Sequence, residues 1–271
     1  MINQQDEEGR TELYIASRDG KTETVKDLLS KKADTNIPRN DGHTALSVAS
    51  QNGHFDVVKL LVESGADINA YNIYGITSLM KASTGNYYEI AKYLIEKGAD
   101  VNAMHEPNYI TALLLASETG HFDIVKLLVE NKANINCITN KKTALIIALE
   151  REQYQIVNLL LENGANVNIG VGKQYPIFIA VSYGLTQIVK ELILKGANVD
   201  IHPDDEMPLI SFAIYFNKPN ILKILLDNGA NHNVEYCGMS PLEVADEMGN
   251  VECANILRDH MFKIAVQTKI V

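Results

Sequence analysis

The chain has 271 residues, 46% of them hydrophobic and 21% charged, a balance that fits a folded globular protein and excludes a disordered or fibrous one. The formal net charge of −10 repels phosphate backbones, which excludes nucleic acid as a general partner and leaves a protein or peptide surface, including one with a basic segment. Three cysteines, Cys137, Cys237 and Cys253, are too few and too scattered for a secreted disulfide framework, and they read as free thiols in a cytoplasmic compartment.

The chain starts MINQQDEEGR, which is polar and acidic, with neither the positive nor the apolar region of a signal peptide. From Thr11 it repeats. Thr11, Thr44 and Thr77 are 33 residues apart, and Thr111, Thr143, Tyr175, Pro208 and Ser240 follow at 34, 32, 32, 33 and 32. Five residues after each of these eight marks stands an alanine, from Ala16 and Ala49 to Ala213 and Ala245. Nine residues after each mark stands Gly or Asn, with Glu152 the exception. Each mark is therefore expected to start a short helix, capped where it is Thr or Ser, and Gly or Asn to end it in a left-handed turn. Glu152 is expected to be strained or locally rearranged.

A second amphipathic helix follows in each unit, as in Val57-Val58-Lys59-Leu60-Leu61, with apolar residues at i, i+3 and i+4. It stops at Gly65, Gly98, Gly164, Gly196 or Gly229, before Ala and Asp or Asn. The phrase GHFDVVKLLVESGADIN at 53–69 returns as GHFDIVKLLVENKANIN at 120–136, with Lys132 in the place of Gly65. Repeat four, lengthened by one residue before Thr111, is therefore expected to be the least regular. After the last mark, 250–271 reads as an extended helix whose Ile256, Leu257, Ile264 and Val266 cover the final repeat and whose 267–271 fray. The longest apolar runs, Ala112–Ala116 and Ala144–Leu149, are too short to cross a bilayer, so no membrane insertion is expected.

This pattern resembles the ankyrin repeat, whose period is 33 and whose signature is T-P-L-H-x-A. The signature reads TELYIA at Thr11, TALSVA at Thr44, TSLMKA at Thr77, TALLLA at Thr111, TALIIA at Thr143, YPIFIA at Tyr175, PLISFA from Pro208 and SPLEVA at Ser240. The resemblance implies an all-α repeat protein: an ankyrin solenoid of helix-turn-helix units with β-hairpin or loop fingers and a concave inner face. The chain reads as one domain over 1–271, with repeats at about 6–37, 38–70, 71–103, 104–137, 138–169, 170–201, 202–234 and 235–260, then a capping tail at 261–271. The signature His is absent from every repeat, its slot holding Tyr14, Ser47, Met80, Leu114, Ile146, Phe178, Ser211 and Glu243, which is expected to cost stability. The Gly two before the mark gives way to Tyr109, Lys141, Lys173 and Glu206, so the middle fingers are expected to be less regular.

No catalytic constellation stands out, and no metal or cofactor is expected. His54 and His121 share a turn slot two repeats apart, too far for one metal, and read as turn residues. Gly170-Val171-Gly172-Lys173 lacks the leading Gly and the Ser/Thr of a phosphate loop. The acidic pairs form no carboxylate dyad. The chain is not expected to be an enzyme.

Partners of the ankyrin family usually contact the fingers and the exposed side of the first helix. On this register the variable slots are four, three and one before the mark, and seven and eight after it. They are polar in repeats one and two, as in His43 and Asn52. Later they turn apolar: Tyr74 and Ile76, with Tyr71 nearby; His105, Tyr109 and Ile110 in the lengthened finger; Tyr183; Met207, Tyr215 and Phe216; Tyr236, Met239 and Met248. These side chains either meet a partner or fold onto adjacent fingers. Asp204 and Asp205 flank the second group and suit a basic partner segment. The reading is a protein–protein interaction module, monomeric by itself. The alternative is an effector that occupies a host protein in the host cytosol, suggested by a composition rich in Lys, Asn, Ile and Tyr.

Overall fold

A computed structural model describes residues 2–202 and 207–267. Among the described residues there are sixteen α-helices, two in each repeat. They are α1 (Glu12–Arg18) with α2 (Thr22–Ser30), α3 (Ala45–Gln51) with α4 (Phe55–Glu63), α5 (Ser78–Thr84) with α6 (Tyr88–Glu96), and α7 (Ala112–Thr119) with α8 (Phe122–Glu130). Then come α9 (Ala144–Glu150) with α10 (Tyr154–Glu162), α11 (Pro176–Ser182) with α12 (Thr186–Leu194), α13 (Leu209–Tyr215) with α14 (Pro219–Asp227), and α15 (Pro241–Glu247) with α16 (Val251–Gln267). This is the all-α repeat fold that the signature implied. The fingers carry isolated bridges, Tyr71 with Thr77 and Tyr236 with Met239, rather than extended strands.

Contacts divide the chain into two compact units, Met1–Asn140 with Gln153–Leu159, and Lys141–Glu152 with Leu160–Val271. In the first, α1, α3, α5 and α7 pack in order, and so do α2, α4, α6 and α8. In the second, α9, α11, α13 and α15 pack in order, with α12, α14 and α16 beside them. All eight alanines five after the marks are buried, where a methyl group lets neighbouring helices close in and a larger side chain would overpack.

The marks cap as expected. Thr11, Thr44, Thr77, Thr111, Thr143 and Ser240 each accept the backbone N–H three residues on. The vacated His slot is put to use in two repeats: Ser47 and Glu243 reach back to the cap and complete capping boxes, offsetting the expected loss there. Tyr175 gives no side-chain cap, but Pro176 after it occupies the first helical turn, where a missing N–H costs nothing.

The helix-ending slot is left-handed in all eight repeats, with φ from 49° at Asn217 to 78° at Gly120. Glu152 adopts φ 56°, so it is strained rather than rearranged. The finger slot keeps its conformation as well: Tyr109 at φ 48° and Lys141 at φ 66° stand where glycine does in other repeats.

Lys132 corrects the expectation made for it. Its N–H donates to Val129 O at 3.1 Å and Ala133 N–H to Leu128 O at 3.0 Å; the Gly65 stop makes the same bonds at 3.1 and 3.0 Å. The stop is regular, and only φ 68° sets it apart. The backbone departs in the fingers instead: finger four holds the cis Glu106–Pro107 bond, and a 3-10 turn, Gly172–Gln174, occupies finger six. Repeat six has lost both its finger glycine and its capping Thr.

The repeated Asn ties one loop to the next. Asp67 Oδ1 accepts Asn69 N–H at 3.0 Å, while the Asn69 side chain accepts Asp100 N–H at 2.8 Å and donates to Gly98 O at 3.3 Å. Asn36, Asn102 and Asn168 do the same for the repeats that follow them. At the C-terminus, α16 buries Cys253, Ala254 and Leu257, with Ile256 and Ile264 half-buried. Val266, expected to cover the last repeat, is exposed. Of residues 267–271, expected to fray, Gln267 ends α16, and 268–271 lie outside the described residues.

Candidate functional site

The first unit carries an exposed apolar row on consecutive fingers. Tyr71 (53% exposed), Ile73 (58%) and Tyr74 (51%) come from finger three, Met104 (44%) and Tyr109 (44%) from finger four, and Ile138 (55%) from finger five. The backbone beneath is tied finger to finger. Ile73 N–H donates to Asp41 O at 3.0 Å, Asn108 Nδ2 to Tyr74 O at 3.2 Å, and Thr139 Oγ1 to Tyr109 O at 2.7 Å. The His105 ring stacks on Tyr71 at 3.9 Å and 12°. Cys137 Sγ lies 3.7 Å from Met104 Sδ. The Tyr109 hydroxyl donates to Glu106, which holds the phenol above its ordinary pKa. These bonds hold the row in place without covering it.

Gly75 makes the close approach possible. A Cβ there would sit 2.6 Å from His105 O and 2.9 Å from Glu106 O, and the backbone is left-handed at φ 74°. Ile76 and Ile110 behave differently: both are half-buried and belong partly to the packing.

The second unit carries a separate row at the ends of its first helices. Tyr183, Phe216 and Met248 are the residues that close α11, α13 and α15, and with Tyr215 all four are exposed. The slot eight after the mark thus reads Asp19, Asn52, Gly85, Thr119 and Arg151 in the first five repeats, then turns aromatic or Met. The rings continue inward. Phe216 lies 5.3 Å from Tyr215 and 4.8 Å from Phe212, and Phe212 lies 5.0 Å from the fully buried Phe178. The remaining expected residues are less open. Met207, Tyr236 and Met239 are half-buried, and the last two exchange backbone bonds of 2.9 and 3.1 Å around Cys237-Gly238, whose φ values are both positive. Asp204 and Asp205, expected to steer a basic partner, lie outside the described residues.

The turn histidines are structural. His54 Nε2 donates to Arg18 O and His121 Nε2 to Thr84 O, each at 2.9 Å, and from the same slot Asn250 Nδ2 donates to Ile214 O, one residue earlier in its helix, at 2.7 Å. Displaced titratable groups likewise have local causes. The Arg10 backbone N–H and guanidinium hold Asp6 low, the Ser240 N–H and hydroxyl hold Glu243 low, and burial pushes the Cys253 thiol up. The three cysteines are free. Among the described residues no helix is long and apolar enough to cross a membrane.

A family model described as ankyrin repeats in three copies matches residues 1–72, 79–170 and 177–268. The chain belongs to the ankyrin-repeat family. A comparison with curated proteins finds no match. Ankyrin repeats are generally protein–protein interaction modules. Within this ankyrin chain, the variable slots include Ile73 but neither Met104 nor Ile138. Ile138 stands five before its mark, outside the variable slots, and only the exposure of its side chain gives it away.

Proposed function

We propose that the chain is a non-catalytic protein-binding module, and that the finger row of its first unit is the principal contact surface. The observation that carries this is the combination at Tyr71, Ile73, Tyr74, Met104, Tyr109 and Ile138: apolar, exposed, and mounted on backbone already bonded between fingers. Large exposed apolar side chains in one row are what interface centres use. The bonded backbone means that little conformational entropy is lost when a partner docks. The aromatic row of the second unit, Tyr183, Tyr215, Phe216 and Met248, is the second contact surface.

The test is affinity purification with mass spectrometry, using the full chain and two variants, Tyr71→Ser with Tyr74→Ser and Tyr109→Ser, and Tyr183→Ser with Tyr215→Ser. The expected result is a protein retained by the wild type and lost from the first variant, with Kd for that protein raised at least about tenfold. A partner held equally by all three chains sinks the assignment of the surface.

A further inference from the structure

Besides its backbone bonds, the turn of finger three is closed by the Asn72 side chain. Asn72 is buried, and its Oδ1 accepts the backbone N–H of Tyr74 at 3.0 Å and of Ile76 at 2.9 Å. Two N–H groups can only donate, so the orientation of the amide is determined. Its Nδ2 faces the other way and meets His43 Nε2 at 3.0 Å. An amide NH2 offers a proton and no lone pair, so Nε2 must accept and carries no proton of its own.

The other side of the ring gives the complementary result. His43 Nδ1 lies 3.2 Å from Ser47 Oγ. That hydroxyl donates its one proton to Thr44 O at 2.9 Å and accepts Thr44 N–H at 3.0 Å. It therefore accepts from His43, and Nδ1 is the protonated nitrogen. Neutral His43 is consistent with every bond in this set. The imidazolium does not, because a proton on Nε2 would point at the Asn72 NH2.

The surroundings act in the same direction. Burial holds His43 below the ordinary imidazole value, Lys81 of α5 and Arg39 of the same finger add to this, and Asp41 opposes it. Lys81 is itself held low by burial.

We propose that His43 is an acid-sensitive latch on finger three: neutral, it holds the Asn72 amide on the N–H groups of Tyr74 and Ile76; protonated, it loosens that turn. On protonation either the amide turns, giving up Tyr74 N–H and Ile76 N–H, or the ring leaves Asn72. Both loosen the finger that opens the apolar row. The meaning of the latch for binding rests on the protein-binding reading, while the latch itself does not.

The test is NMR of the full chain between about pH 5 and pH 8, a window around the ordinary imidazole value. The expected result is an Nδ1–H tautomer at His43, a midpoint below that of an exposed His, and Tyr74 and Ile76 amide shifts that move with the same midpoint. Below it, exchange of these two N–H groups becomes about tenfold faster or more. In His43→Gln, whose carboxamide does not titrate, the two amides stay constant over the window. In His43→Lys they stand near their acid positions at neutral pH. An Nε2–H tautomer, or Tyr74 and Ile76 amides that ignore the titration of His43 in the wild type, overturns the latch. No partner enters this readout, so its failure leaves the protein-binding reading standing, and loss of that reading leaves the latch standing.

Discussion

The Asn102 amide donates to the Lys132 carbonyl at 3.1 Å, holding by its backbone a residue that stands where other repeats use glycine. A Cβ at Gly65, Gly98, Gly164, Gly196 or Gly229 would meet nothing within 4 Å, so only backbone energy favours glycine at this stop. Lys132→Gly therefore relieves about 1–2 kcal/mol of left-handed strain. Glycine's backbone entropy takes back about 0.5–1 kcal/mol. The urea midpoint is expected to rise slightly for Lys132→Gly and to fall for the reverse change, Gly65→Lys. Asn102→Ala removes the bonds to Lys132 O and Asn134 N and is expected to cost about 1–2 kcal/mol.

Gly75→Ala meets two obstacles at once, the left-handed backbone and the carbonyls of His105 and Glu106. It is expected to cost about 2 kcal/mol and to disturb the lengthened finger. Hydrogen exchange is the measurement. Faster exchange at the Tyr109 N–H, which donates to His105 O, marks the displaced finger, and unchanged exchange there contradicts it.

In the second unit, depth separates neighbours of similar chemistry. Phe212, packed between Phe178 and Phe216, is expected to cost about 3–5 kcal/mol when cut to Ala. Tyr215→Ser, at an exposed ring, is expected to stay within about 0.5 kcal/mol of the wild type. Thermal melts of the two variants decide this. Equal losses from both would mean that Tyr215 is packed rather than displayed.

The capping box of α15 gives an acid-sensitive signal at the other end of the chain. Glu243 accepts the Ser240 N–H at 2.7 Å and the Ser240 hydroxyl at 2.7 Å, which hold its carboxyl below the usual carboxylate range. A depressed acid contributes stability above its unfolded pKa, about 4.3, and loses it as pH falls through the lowered folded value. Protection of the Ser240 N–H is expected to fall over that interval, and Glu243→Gln is expected to remove the dependence. His43, a depressed base, has the same sense at higher pH. Its contribution is complete above the unfolded value of about 6.5 and is lost as pH falls toward the folded one.

Much of the fold was legible because its signals are short-ranged. Thr44 bonds to Ser47 three residues away, and each helix stop closes within six, so the marks, alanines and glycines show in the string itself. Lys132 misled for the same reason. Residue type announces strain, but not that the surrounding bonds hold the backbone unchanged. The candidate surface was half legible. Tyr74 stood in a variable slot and Tyr71 and Tyr109 beside one, while Tyr236 and Met239, in variable slots themselves, turned out fastened across their own turn.

The sequence by itself determined the period, the capped starts, the left-handed stops and the family, since each depends on groups that are neighbours along the chain. Only the tertiary structure decided which side chains remain open and what holds them. Exposure is set by what packs alongside from the next repeat. The bond between His43 and Asn72 spans 29 residues, and the Asn102 bond to Lys132 spans 30. No local pattern in the sequence encodes such a distance; it exists only once the repeats are stacked.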